Sequence, residues 1–522
     1  MRSTTAPTFA LIALVSFALP VLAAPGAPVV TVGADLKMLQ FDWDAVPTSS
    51  RYELWFKAND GSPWVKYTDV AGGRTERVRI NVSVHLLDWR AAKYRVAACN
   101  SSGCTSSAEV QVTDLANDAI GYFKPNTPAY ANSYGSAVAL SADGRTFAVQ
   151  SGENRGDAVD SVSVHVYRKP SATSGWQYEA QLLPTVAQSY TTQPYFGGNP
   201  LALSGDGNLL AFGVPTEGAD ESNNYIGLGA VYLFRRSGTG WQLAQKLVGD
   251  PIPGDSFGTQ VELDDAGSTL AITHHRKAPD EVELARGTTD IYRNDGAGWQ
   301  YVRTLSVPRG ANGYNDACYS VSLSGDGQTL FRTCTDGNYV TGVVQVFRAP
   351  TWEPDTGVSY AGATWVDSTY DGGRFVVRNQ HNLTGVYDLR AGAWTQDGQF
   401  TTGKQNYMGA NLAISRDGAI VAGGDYFDTL SNTGIVYPGT QQNGTVHSGA
   451  IFVYERRSFG WNLRRIVKPV VQREQAFGTV LALGDRGRIL AVGSFADESA
   501  ASGIGSDPTD ASAPGRGAAW LY

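Results

Sequence analysis

The chain has 522 residues, too many for one ordinary core, so at least two domains are expected. Its 60 glycines, 11% aromatic content and 17% charged content suit an all-β protein with many tight turns. The 12 Trp and 25 Tyr exclude a disordered chain. A formal net charge of -8, with no Lys/Arg-rich run, argues against a general nucleic-acid-binding role.

Residues 1–23 read as a secretory signal peptide. Arg2 is the positive n-region, Phe9 to Leu19 is the apolar core, and Val21-Leu22-Ala23 after Pro20 is a small-residue cleavage pattern. The apolar run is short for a bilayer span of roughly 20 residues, and no later stretch is long enough. The expected destination is secreted, periplasmic or cell-surface, after cleavage near Ala23.

Residues 27–114 alternate apolar and polar positions between turn signals, as half-buried strands do. Leu39, Phe41 and Trp43 share one strand face; Tyr52, Leu54 and Phe56 share another; Tyr94, Val96 and Ala98 share a third. Several strands around a central Trp predict a β-sandwich. The segments "LQFDWDAVPTSSRYELWF" and "YRVAACNSSGCTSS" resemble a fibronectin type III domain, which implies a spacer or a weak binder.

Export permits disulfides. Four cysteines allow three pairings, and position favours one. Cys99 and Cys104 flank a tight reversal. Cys318 and Cys334 lie equidistant from Asp326, the centre of a Ser-Gly-Asp-Gly turn. Cys99–Cys104 and Cys318–Cys334 are therefore predicted.

From residue 134 the chain repeats itself, which decides the fold. An aromatic-Gly pair opens each unit, as at Tyr134-Gly135, Phe196-Gly197, Phe257-Gly258 and Phe477-Gly478. A Ser-x-Asp-Gly turn closes the first run, as at Ser141, Ser204, Ser324 and Ser415. A Gly-Ala-Val-like third run follows, and Gly-Trp opens the fourth, at Trp176, Trp241, Trp299 and Trp461. Seven units start near 134, 196, 257, 314, 360, 407 and 477. The fifth is degenerate, and the last stops after its third strand. An open sheet edge is an aggregation liability, so "AIGYFK" (119–124) is expected to complete the last unit. The fold class is all-β: a fibronectin type III-like sandwich followed by a seven-bladed β-propeller over 119–522, closed by an N-terminal strand.

The repeats resemble the FG-GAP repeats of bacterial integrin α-like proteins. That resemblance implies a propeller and a recognition or adhesion role. Calcium-binding FG-GAP loops carry an Asp-x-Asp-x-Asp-Gly run, whereas these turns hold one Asp, with a neighbour at Asp264-Asp265. A hard cation takes 6–8 oxygen ligands. The turn Asp residues are thus expected to cap their own backbone, with no cofactor and calcium disfavoured in these turns.

In a four-stranded blade, loops 1–2 and 3–4 share one face, and loops 2–3 and 4–1 share the other. The second set is long and variable around Ser151–Asp160, Val214–Leu228, His274–Arg286, Asp425–Ser448 and Ser494–Arg516. Long loops on a rigid scaffold are where function concentrates. Blades 6, 7, 1 and 2 would form one raised sector, the expected binding face, with candidate residues Glu217, Asp220, Glu221, Asp425, Asp428, Asp497, Glu498, Asp507 and Asp510. No nucleophile elbow, metal-binding His-Glu-x-x-His or phosphate loop emerges, so no catalytic residue is assigned. His274-His275 reads as a pair of edge histidines, the Gly-Trp tryptophans as inter-blade packing, and Trp64 and Trp352 as unpaired outliers. The expected function is a non-catalytic, monomeric recognition or adhesion protein for an extracellular protein or glycan. A lectin-like propeller and a polysaccharide-active enzyme are the alternatives.

Overall fold

The computed structural model describes residues 23–71, 76–126, 131–153, 161–171, 174–184, 199–218, 227–238, 240–249, 255–276, 285–307, 317–335, 341–403, 411–513 and 515–522. The signal segment up to Leu22 lies outside them. The chain divides into two compact units. One comprises residues up to 32 with 40–78 and 90–113, and the other comprises 33–39, 79–89 and 114–522.

Residues 30–111 form two sheets. Val30–Asp35, Met38–Trp43 and Arg77–Asn81 form one. Val65–Ala71, Arg51–Lys57, Lys93–Asn100 and Gly103–Ser106 form the other in that order, with Val110–Gln111 beside Lys93–Asn100. Period-2 alternation places Phe41, Trp43, Tyr52, Leu54, Tyr94 and Val96 in the core. The sheets meet through aromatic pairs: Phe41 and Tyr94 centroids lie 5.0 Å apart, and Trp43 and Tyr52 lie 5.2 Å apart. The Tyr52 hydroxyl accepts the Val46 N–H at 2.8 Å and pins the turn at Pro47. Cys99 and Cys104 are register partners across the last hairpin and form the predicted disulfide. Trp64 does have a partner, since the Arg95 guanidinium lies 4.3 Å from its ring centroid.

The second unit is a β-propeller. Among the described residues it holds seven antiparallel sheets of four or five strands. Their first strands are Val138–Leu140, Leu201–Leu203, Gln260–Leu263, Ala317–Leu323, Ala363–Ser368, Leu412–Ile414 and Leu481–Gly484. Each touches the next, and the seventh touches the first. The seventh sheet is completed from outside the repeats: Gly121–Phe123 pairs with Ala519–Leu521, Phe123 opposite Ala519. The segment expected to close the ring does so. Cys318 and Cys334 lie opposite one another on adjacent strands and are bonded.

The motifs acquire physical roles. Tyr134, Phe257 and Phe477 are wholly buried. Each forms a parallel bridge to the glycine that opens a neighbouring third strand: Gly517, Gly229 and Gly449 respectively. The glycine is required twice over. Gly449 sits at φ 81, and a Cβ there would overlap the Phe477 carbonyl oxygen. The degenerate fifth repeat keeps the junction with other residues, since Tyr360 N–H donates to the Gly342 carbonyl at 2.9 Å. The Gly-Trp tryptophans reach the preceding sheet. Trp241 Nε1 donates to Glu179 at 3.0 Å, and Trp461 Nε1 donates to Asp397 at 3.2 Å. Trp352 is not an outlier. It is wholly buried and packs with Ile291 and Leu305 of the third sheet, which makes it the fourth sheet's counterpart of those tryptophans.

A Gly449→Ala variant is expected to lose at least about 2 kcal/mol, from the backbone clash added to the left-handed φ. Gly238→Ala, also at positive φ but with open space around the new Cβ, should lose only about 1–2 kcal/mol. Urea midpoints of the two variants check the difference.

Candidate functional site

Of the nine acids proposed for the loop face, Asp220 and Glu221 lie outside the described residues. Three of the others share one arrangement. The backbone carbonyls of Glu217, Asp428 and Asp497 accept the N–H of Gly229, Gly449 and Gly517 at 3.0, 3.1 and 2.9 Å. Their carboxylates pair with a lysine at the outer end of the same sheet: Glu217 with Lys246, Asp428 with Lys468 at 2.7 Å, and Asp497 with Lys124 at 3.2 Å. Tyr232 adds a hydroxyl to Glu217 at 2.6 Å, and Tyr122 adds one to Asp497 at 2.7 Å. The Lys468–Asp428 side chains are wholly buried, and Lys124–Asp497 nearly so. Burial holds the Lys124 ammonium below its ordinary pKa, and Asp497 opposes that shift. These acids anchor the loops from beneath. Two of the lysines carry a sequence signal that pattern reading passed over: Lys124-Pro125 and Lys468-Pro469 both follow a fourth strand.

Asp425 is buried and accepts the Phe427 N–H at 3.2 Å. Asp507 and Asp510 shape their own loop: Asp507 accepts from Thr509, and Asp510 from Ala500 N–H at 2.7 Å and from Ser512. Glu498 is half-buried, and its carbonyl accepts the Ala513 N–H at 2.8 Å.

The two long loops do more than project. Ile435–Val436 lies as a fifth strand against Gly460–Val467, and Ile504 bridges to Phe123. Each loop thus covers the outer edge of its sheet. The connection between sheets six and seven ties them together. Gln472 donates to the Leu430 carbonyl at 3.2 Å, and Arg473 donates to the Asp510 carbonyl at 2.6 Å. The result is one continuous plate over two sheets.

The opposite face carries the short turns. In five of them the Asp accepts from its own Ser or Thr hydroxyl and from the N–H two residues on: Asp143, Asp206, Asp326, Asp371 and Asp417. Capping is the role expected of them. The turns also bond to one another by backbone: Asp485 N–H to Ala142 O, Asp143 to Gly205, Gly205 to Asp265, Asp265 to Gly325, Asp326 to Tyr370, and Tyr370 to Arg416. Six junctions of the ring are laced in this way.

Inside the collar lies an axial cavity of about 170 Å³. Equivalent residues of six of the seven first strands line it: Ala139, Ala202, Glu262, Asp367, Ala413 and Ala482. Two positions that the repeat fills with alanine hold carboxyl groups. Burial pushes Glu262 up to about 8, and the nearby Asp367 adds to the shift. Burial raises Asp367 to about 6, against hydrogen bonds from Ile414 N–H at 2.8 Å, Ser368 N–H at 2.8 Å and the Ser322 hydroxyl at 3.1 Å. Sequence reasoning missed both, although aligning "VAL", "LAL", "VEL" and "VDS" shows the exchange.

His274 is not an edge histidine. It is buried, with Nδ1 2.7 Å from Asp255 and Nε2 3.5 Å from Asp290. Burial alone would lower its pKa, but the bonds to the two aspartates win and raise it to about 9. The His275 side chain lies outside the described residues. Among the described residues one group of three metal-type ligands lies close together, Glu53 with Cys99 and Cys104, and both sulfurs are held in the disulfide.

Two measurements test these assignments. Lys468→Met leaves a buried carboxylate uncompensated and should cost about 3–5 kcal/mol, whereas Lys468→Met with Asp428→Leu should recover part of that loss; denaturant unfolding of both variants decides. For Glu262 the folded pKa exceeds the ordinary 4.5, so the folded state binds the extra proton between those values. Stability should fall as pH rises from about 4.5 through 8. The stability gain of Glu262→Gln over wild type should therefore grow across that window, as thermal unfolding at pH 5 and pH 8.5 will show.

The chain matches no protein-family model and no curated protein sequence. Among solved structures it is similar to the β-propeller domain of Cps50 (Swd1) from Myceliophteria thermophila. The two share 14% identity at a TM-score of 0.46, over 74% of this chain and 96% of that one.

Proposed function

We propose that this chain is an exported, non-catalytic recognition protein, a seven-bladed propeller of the FG-GAP type preceded by a fibronectin type III-like module. In this reading it engages an extracellular protein or glycan through the 2–3/4–1 loop face. The observation that supports this is the plate over sheets six and seven. Its two loops are anchored by buried lysine–carboxylate pairs and cross-tied by Gln472 and Arg473. A surface ordered before binding loses little conformational freedom on association, so more of its contact energy becomes affinity. The plate's exposed residues include Thr440, Gln441, Gln442 and Asp507, which suit a polar, hydrogen-bonding contact. The anchoring acids lie beneath the contact and hold its shape.

The mature chain should bind a subset of an array of glycans and extracellular-matrix proteins, with or without calcium. Gln441→Arg combined with Asp507→Arg should weaken the hit at least about tenfold, equivalent to 1.4 kcal/mol. Phe459→Ser, on the fully exposed hairpin tip of sheet six, should leave it unchanged. Equal binding by all three chains would sink the assignment of this face, and binding lost to chelator alone would replace it with a metal-dependent site.

A further inference from the structure

The axial cavity runs along the first strands, from Asn199 and Asn411 before them to Gly325 and Arg416 in the turns, and has no part in the loop plate. Glu262 and Asp367 present carboxyl oxygens to the cavity. Asn199, whose amide nitrogen is held by the Val138 carbonyl at 3.0 Å, presents an Oδ1 that is buried and has no hydrogen-bond partner. A buried acceptor without a donor is costly. It is satisfied by a guest that brings N–H groups.

The chain itself shows what such a guest resembles. Arg416, from the turn of the sixth sheet, reaches across to Asp265 in the turn of the third, with two sheets between them. Its guanidinium lines both the cavity and the mouth above it. That mouth, of about 670 Å³, is ringed by Asp143, Asp206, Asp265 and Asp417 against Arg416 and Arg486. Four carboxylates face two guanidiniums at the entrance, and two more carboxyls lie within. The surplus draws cations inward.

We propose that the axial cavity is a binding site for a small organic cation with several N–H donors, an ammonium or guanidinium group, which enters from the turn face by displacing Arg416 from Asp265. A bare metal ion fits less well. Two carboxyls and one amide oxygen fall short of the 6–8 oxygens a hard cation takes, and the one close group of three ligands among the described residues lies elsewhere. Glu262 holds a proton near neutrality, so an incoming cation should expel it.

The test is calorimetric titration of the full mature chain with agmatine, and separately with calcium chloride. Agmatine should bind with release of a proton, seen as a heat that varies with the ionisation enthalpy of the buffer. Arg416→Met should bind agmatine about tenfold more tightly, as removal of a competitor worth 1.4 kcal/mol would. Glu262→Gln with Asp367→Asn should lose binding. Ala202→Leu, which fills the cavity from its apolar side, should lose it too and serves if the double variant does not fold. No agmatine binding by either wild type or Arg416→Met, binding that survives Ala202→Leu, or binding of calcium alone would overturn the proposal.

Discussion

A sheet ends in a row of unsatisfied N–H and C=O groups, and a chain of sheets must dispose of those rows or aggregate. In this protein the constraint is met at three radii. Near the axis, the turns bond to one another by backbone, six junctions in succession. At mid-radius, an aromatic residue bridges to a glycine on the neighbouring sheet, so close that no side chain fits. At the outside, two loops fold back as partial fifth strands. The repeated residues are those that make these joints, which is why they recur while the intervening loops do not.

The same constraint explains the charge placement. A long loop that must lie against an outer edge needs its first turn fixed. The chain does this with a carboxylate whose carbonyl holds a glycine and whose side chain holds a lysine. Such pairs gain little over apolar packing, but the loss of one partner is severe. The plate is therefore a product of the interior as much as of the surface.

Much of the ring was legible in the sequence because its signals are periodic: the aromatic-Gly openings, the Ser-x-Asp-Gly turns, the closing segment before residue 124, and both disulfides. The fates of individual acids were not. Asp428 and Asp497 look like loop carboxylates until Lys468 and Lys124 are placed beside them, and those partners are 40 and 373 residues away. Glu262 and Asp367 escaped notice for a different reason. They interrupt a motif by one residue, and reading repeats for what they share hides what they vary. Trp352 was misread because the Gly-Trp spacing fails there, although the packing site it fills persists.

The ladder between Gly121–Phe123 and Ala519–Leu521 also sets an order of events. Every other sheet of the ring draws its strands from one continuous stretch and can pair locally as it is made. The closing ladder cannot form until residue 521 exists, and it joins the most distant parts of the propeller. Loop closure of that span is entropically costly. Contacts made last are also those whose strengthening most slows unfolding. The three-residue clasp therefore acts as a kinetic latch: strengthening it would lengthen the lifetime of the closed ring while leaving the rate of folding nearly unchanged.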